Sequence, residues 1–406
     1  MSQQDYQVAL GRKIAEARRR RGLSQPELAR MIDRSVAWVS QVERGVRKVD
    51  RMSVLEMLAD SLEIPLAEMA AEAPVVAAVN EERPGVAELR LVLSGVWTLR
   101  AMLNGHGTPD AAELRQQADL AWSLTHESQY RQLATVLGDL VPALESAARA
   151  VPADERPAMF ELLAASYQAC SAALSKLGEP DAAWIAADRS MAAAERAGNP
   201  LLVAAGAFRL GIVFLGARYF AQAAEVSGTA ADALWRVAES GTPEAMSMWG
   251  SLTLQRAMSA AHLSDATAAY AYLDRARAMA QRVGPGRNDF NTEFGPANVA
   301  LYEIALAVEL GDAGRALRAA SAADVADLSP ERRARMLIDV ARAHSQRRQV
   351  SEALAALLEA ERITPEQVRS HALVRQVVAD LIAMQNPPQA SLIALAGRIA
   401  VPGNQN

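Results

Sequence analysis

The chain of 406 residues holds a single cysteine, Cys170, so no disulfide can close within it and nothing points to an oxidising compartment. Aromatic residues make up 5% of it, and lysine stands only at Lys13, Lys48 and Lys176. No uncharged, proline-free apolar run is long enough to span a bilayer. The opening MSQQDYQVALGRK lacks the apolar stretch of a signal peptide. The expected location is therefore cytoplasmic, with no membrane partner. No lysine follows a glycine, which excludes a phosphate-binding loop. Gly284-Pro285-Gly286 follows a helical pattern, where a dinucleotide fingerprint needs a strand. The histidines His106, His126, His262, His344 and His371 have no i,i+4 partner with which to chelate a metal. Cys170 lies in the apolar run ELLAASYQACSAAL and reads as a small core residue. No cofactor, no metal and no enzyme activity are expected.

What is abundant is alanine, about a fifth of a chain that is 51% hydrophobic and 22% charged. That supplies a sizeable core and favours close-packed helices over strands. An all-α fold in two or three domains follows. The net charge of −5 divides unevenly: residues 1–51 carry +6 and the remainder −11. Only the N-terminal end is suited to a polyanion.

Within that basic end, VALGRKIAEARRRR (8–21) places Val8, Ile14 and Ala17 at helical spacing, with Gly22 as the stop. SQPELARMI opens with Ser24 as N-cap, Pro26 in the first turn and Glu27 three after the cap, the elements of a capping box. After a break at Asp33-Arg34, SVAWVSQVER is helical up to Gly45, and further helices are predicted at 53–62 and 65–71. The string GLSQPELARMIDRSVAWVSQVERG resembles the Xre (Cro/repressor-like) helix-turn-helix family, over residues 6–71. Small Ala29 stands where the two helices cross, and Leu28, Ile32, Val39 and Val42 fall at core positions. The family usually has glycine at the turn. Here Asp33 stands there, a residue that tolerates the left-handed conformation. The alternative is a helical hairpin on which Arg18-Arg19-Arg20-Arg21 is a solvated face.

The resemblance implies a five-helix, lambda-repressor-like head whose second motif helix enters the major groove of an operator. It also implies that Arg18 pairs with Glu43. Base readout falls to Arg34, Ser35, Val36, Ala37, Ser40 and Gln41. Gln41 suits an adenine, Val36 or Ala37 a thymine methyl, and Arg34 a guanine. Phosphate contacts fall to Gln25, Arg44, Arg47, Lys48 and Arg51. Trp38 either packs under the helix or stands against the sugar-phosphate wall. One such module covers few base pairs, so a homodimer is expected on a pseudo-palindrome of double-stranded DNA, with half-sites about 34 Å apart.

Residues 72–85 mix proline, alanine and charge without periodicity and read as a linker between a head, 1–71, and a body, 86–385; residues 386–406 read as a tail. The body repeats an apolar helix, a short turn and an alanine-rich helix. Its turns read KLGEPDAAWIAA, FLGARYFAQAA, HLSDATAAYAYL, ELGDAGRALRAA and SQRRQVSEALAAL. With Gly178, Gly216, Ser264, Gly311 and Arg348 as equivalents, the spacings are 38, 48, 47 and 37 residues. Ala183, Ala223, Ala269 and Ala316 follow the turns, where paired helices need close approach. The body resembles a degenerate tetratricopeptide array of five to seven repeats, looser than that family's 34-residue period. A generic helical bundle is the alternative.

The repeat resemblance implies that first helices line a concave face able to hold a peptide or small-molecule effector. Phe208, Arg209, Trp249, Arg256 and Tyr302 are candidate contacts, each equally suited to the core or to a solvated face. The segment GPGRNDFNTEFGPANVALYEIAL (284–306) adds Arg287, Asn288, Asn291, Glu293 and Asn298. Asparagine amides can bond the backbone of an extended peptide; equally, they cap their own loop. Together these readings describe a sequence-specific DNA-binding transcription regulator whose repeat body dimerises and senses an effector. A helical-repeat interaction adaptor and an antitoxin-like repressor without an effector are the alternatives.

Overall fold

In a computed structural model, the described residues are 3–32, 34–46, 49, 52–62, 85–96, 99, 103, 110–385 and 387–399. None of them lies in a β-strand, so the fold is all-α across the described residues. The chain divides into two compact units, Met1–Glu82 and Arg83–Asn406.

The first unit contains α1 (Gln3–Arg20), α2 (Gln25–Met31), α3 (Val36–Glu43) and α4 (Met52–Leu62). Their apolar stripes close on Leu10, Ile14, Leu28, Ile32, Val39, Val42 and Leu58, all buried. The capping box at the start of α2 is formed in both directions. The Glu27 N–H donates to Ser24 Oγ, and the Ser24 N–H donates to Glu27 Oε2 at 2.7 Å. Gly22 and Gly45, at φ 68° and 70°, close α1 and α3 in the left-handed region. At Gly11, α1 crosses the end of α3 so closely that a Cβ would lie 2.4 Å from the Val42 carbonyl oxygen. Asp33, the helix expected at 65–71 and residues 72–84 lie outside the described residues.

In the second unit α5 (Val86–Val92) precedes six helix pairs among the described residues. The pairs are α6 (Ala111–His126) with α7 (Tyr130–Ala150), α8 (Arg156–Lys176) with α9 (Pro180–Ala197), and α10 (Pro200–Gly216) with α11 (Phe220–Glu239). They continue as α12 (Pro243–His262) with α13 (Ala266–Val283), α14 (Pro296–Glu309) with α15 (Ala313–Ala322), and α16 (Pro330–Gln346) with α17 (Val350–Ile363). One turn joins the two helices of every pair. Ser128, Gly178, Arg218, Ser264, Gly311 and Arg348 each take a left-handed φ, and the N–H of the next residue returns to the carbonyl five positions back. That double closure satisfies the last carbonyls of each first helix.

The third turn therefore centres on Arg218, which corrects the placement at Gly216. Glycine is the visible sequence signal, but Gly216 is the last residue of α10, and the bonds to Leu215 and Phe214 come from the N–H groups of Arg218 and Tyr219. The same register puts a fully buried alanine five residues past each of the last five turns: Ala183, Ala223, Ala269, Ala316 and Ala353. First helices α6, α8, α10, α12, α14 and α16 pack in sequence as an inner layer, and α16 also touches α6. The unit ends with α18 (Pro365–Ser370), α19 (Ala372–Met384) and α20 (Ala390–Arg398). Residues 387–399 are thus part of the body, contrary to the expected tail. Leu392, Leu395, Ala396 and Ile399 recur at helical spacing and are buried, and Arg398 Nη2 pairs with Glu361 Oε2 at 2.6 Å. No described helix is long and apolar enough to cross a membrane.

Candidate functional site

The head presents α3 by its first turn. Ser35 takes an extended conformation as N-cap, and its Oγ accepts the Trp38 N–H at 3.1 Å, which fixes where the helix begins. Beyond the cap, Val36 and Ala37 are exposed, Ser40 and Gln41 are half-exposed, and Val39 and Val42 bury the opposite face. Trp38 is half-buried against the head core, with the Arg34 guanidinium 6.0 Å from its ring centroid. The far end of α3 is tied down by charge. Arg18 donates from Nε to Glu43 Oε1 at 2.5 Å and from Nη2 to Oε2 at 3.0 Å, while its Nη1 reaches the Leu23 carbonyl. Gln25 Nε2 adds a bond to Glu43 Oε2 at 2.8 Å. Burial works against the Glu43 carboxylate, yet Arg18 and Gln25 hold it below its ordinary range. One carboxylate thus joins α1, α2 and α3 in a fixed frame. Gln25, expected on a phosphate, spends its amide inside that frame. Arg44 is exposed, with Nε on the Ser40 carbonyl, and Arg47, Lys48 and Arg51 lie outside the described residues.

The body holds a second polar centre on its inner layer. The segment 284–295, between α13 and α14, includes a short 3-10 turn at Asp289–Asn291. Side chains from five of the six pairs converge on it. Arg209 of α10 donates from Nη2 to the carbonyls of Phe290 and Asn291 at 3.1 and 2.9 Å. Asn298 of α14 and Arg332 of α16 both donate to the Thr292 carbonyl at 3.1 Å. Ser247 of α12 donates to Asp289 Oδ2 at 2.6 Å. His126 of α6 places Nδ1 3.0 Å from Glu293 Oε1 and Nε2 3.2 Å from Asn291 Oδ1. Glu293 also accepts from the Ser329 hydroxyl and N–H, each at 2.9 Å. Burial opposes its charge, but His126, Arg332 and Ser329 keep the carboxyl far below its ordinary range. Behind this layer Lys176 Nζ meets Glu331 Oε2 at 3.1 Å, linking α8 to α16. A cleft of about 300 Å³ opens beside the segment, lined among others by His126, Arg287, Asn288, Glu293, Asn298 and Asp327.

The sequence-chosen effector contacts separate into three groups. Phe208 and Trp249 are core: Phe208 is 1% exposed, and Trp249 packs on Trp235 with ring centroids 5.1 Å apart. Neither offers a surface to a ligand, because each faces an apolar cluster between successive pairs. Arg256 lies over Tyr272 and bonds its hydroxyl at 3.0 Å, while Tyr302 is half-buried with its side chain hydrogen-bonded to Arg332 of the convergent centre. Arg209, Arg287, Asn288, Asn291, Glu293 and Asn298 do come together. Their polar groups are engaged with the chain itself, with Asn288 Oδ1 accepting the Glu293 N–H at 2.9 Å and Arg287 bridging Asp289 and Glu244. Asn298 keeps one buried oxygen, Oδ1, without a partner. His126, Ser329 and Arg332 were missed by sequence reading, since His126 and Arg332 lie in ordinary helical patterns and Ser329 caps the start of α16, all far in sequence from 284–295. Cys170 is fully buried, and burial pushes its thiol up to about 12. No cluster among the described residues has the make-up of a metal site.

An exposed helix opening on a rigid three-helix frame, joined to paired helical repeats, defines a helix-turn-helix protein with a helical-repeat body. Residues 9–71 match the family of helix-turn-helix domains, so the head is such a domain, as its Xre-type resemblance implied. No curated protein matches the chain. Among solved structures, Bacillus thuringiensis PlcR, in complex with the peptide PapR7 and DNA, is similar at 14% identity over 68% of this chain and 95% of that one. Its TM-score is 0.27, a likeness too low to bear on this chain's body or ligand.

Proposed function

We propose that this protein is a DNA-binding transcription regulator that reads base edges with the first turn and middle of α3. Val36, Ala37, Ser40 and Gln41 face outward from a helix whose other face is core and whose end is held by Arg18, Glu43 and Gln25. That outward row carries the reading: it matches the way a recognition helix is offered to a major groove. The +6 charge of residues 1–51 supplies phosphate attraction, to which Arg44 and the basic residues 47, 48 and 51 contribute. The body is the dimerisation and effector-sensing module, and its charge of −6 over residues 86–385 disfavours contact with the nucleic acid. Two heads on a pseudo-palindrome give the site length that one head lacks. An effector acts by binding operator-competent and incompetent forms unequally. Selection from random duplex DNA by the full chain, followed by footprinting, tests this. A two-fold-related consensus with both halves protected is expected; selection that enriches no sequence contradicts it.

A further inference from the structure

The inner layer of the body is filled by the chain's own residues 288–294, and that segment is gripped the way a bound peptide is gripped. Its main chain is held at three successive carbonyls: Phe290 and Asn291 by Arg209, and Thr292 by Asn298 and Arg332. Its side chains are held at alternating acidic and aromatic anchors. Asp289 sits on Ser247 and Arg287, and Glu293 on His126, Ser329 and Arg332. Phe290 packs against both of the large apolar clusters of the unit. Phe294 is 1% exposed and fits over Gly250, where a Cβ would lie 1.9 Å from the ring.

Two further observations separate this segment from an ordinary loop. Phe290 and Glu293 both have a left-handed φ of 50°, which such side chains disfavour, while Asn291, at 56°, takes that region more readily. Local turn bonds, from the Asn291 and Thr292 N–H groups to the Asn288 and Asp289 carbonyls and from the Glu293 N–H to Asn288 Oδ1, act together with the surroundings to hold the segment in this shape. Arg209, in turn, is 4% exposed and stacks on Trp122 and Phe208, with no direct ion pair to a carboxylate among the described residues, while Glu331 and Glu293 favour its charge from further off. Burial pushes its pKa down to about 9, and the segment's two carbonyls are its hydrogen-bond partners. The segment's two carbonyls thus supply the direct hydrogen bonds to this buried cation, beside the more distant carboxylates.

We propose that residues 288–294 are a tethered ligand. The inner-layer site takes an acidic–aromatic peptide segment with the spacing Asp-Phe-x-x-Glu-Phe, and the chain fills that site in cis. A segment from outside enters by displacing this one, which makes the occupancy autoinhibitory. The proposal rests on the reading of the body as a sensing module and gives the chemical class of what it senses.

The test uses the full chain with Phe294→Ala, which removes one anchor of the tethered copy and leaves its seat over Gly250 empty. The labelled peptide probe is Asn-Asp-Phe-Asn-Thr-Glu-Phe-Gly. Fluorescence anisotropy should show the variant binding this peptide at least tenfold more tightly than wild type. A control peptide with its two phenylalanines replaced by alanine should bind neither. Equal affinity of wild type and a cooperatively melting variant, including no binding by either, overturns the proposal. Hydrogen exchange on the wild-type protein decides independently of the variant's folding. The 289–294 amides should exchange at least tenfold faster than those in the middle of α10 and α12, by local release of the segment. Exchange no faster than in those helices overturns it. Operator binding measured on the same preparations tests the regulator reading separately, since peptide binding without operator binding removes that reading and leaves this one standing.

Discussion

The two units place their polar side chains in opposite directions. In the head a single carboxylate, Glu43, ties α1, α2 and α3 together and leaves the polar face of α3 turned outward. In the body Arg209, Glu293, Glu331 and Arg332 are turned inward, and polypeptide already stands in front of them. The difference fits the partner proposed for each unit. A reader of base edges needs rigid donors and acceptors open to solvent, and one buried pair suffices to hold them. A unit that holds a peptide-like segment needs donors aimed at carbonyls and dry seats for aromatic rings, which only long-range packing supplies.

Four perturbations should act on one unit and spare the other. Glu43→Ala strands Arg18, whose side chain is 10% exposed, and should cost the head about 3–5 kcal/mol. Chemical denaturation should show the head's transition moving while the body's stays; a shift of both would mean the frame is not local. Gly250→Ala drives a methyl into the Phe294 ring and should cost the body about 1–3 kcal/mol through overpacking. The same experiment should then show the reverse pattern, with the head unmoved.

Acid distinguishes the units by where it begins to act. Burial, with Arg335 3.2 Å from the ring, pushes His371 down to about 3 from its ordinary 6.5. A group depressed on folding supports the native state above its unfolded pKa, and that support is lost as pH falls toward the folded value. The body should therefore begin to weaken below about pH 6.5. Further loss should follow below 4.5, as Glu309, held at about 2 by His262 and Arg342, takes up its proton. The head depends on carboxylates, Glu27 and Glu43, both depressed from 4.5, so it should hold until below that pH. Thermal melts at pH 7 and pH 5.5 should lower only the body's transition; parallel loss in both units would refute the assignment. Smallest of all, Arg348→Gly relieves a left-handed arginine in the last repeat turn and should stabilise the body by up to about 1 kcal/mol, read as a small rise in melting temperature.

Much of the head was legible in the sequence because its signals are local. Ser24, Pro26 and Glu27 announce one helix start, Gly22 and Gly45 two helix ends, and the apolar spacing of Leu28, Ile32, Val39 and Val42 the core between them. The repeat turns were legible as a recurrence, yet one was placed two residues early, since a left-handed Arg218 leaves no mark that Gly216 does not overshadow. The C-terminal helix was lost behind Pro387-Pro388, which reads as the start of a tail until Leu392 and Leu395 are seen to be buried. The inner centre was half-legible. The asparagines and Arg287 stand out in 284–298, but His126 and Arg332 join them across 165 and 40 positions of sequence, separations that no periodicity encodes. Nor does anything in Phe290 or Glu293 announce a left-handed backbone. It is the surrounding structure that imposes it.

Base reading by α3 is tested by titrating wild type and Gln41→Ala against the selected operator, single-base variants of it and unrelated duplex over a range of salt. The expected result is a loss of about 1–3 kcal/mol of discrimination at one base position per half-site, with nonspecific affinity and salt slope unchanged. Equal weakening on every sequence would contradict it.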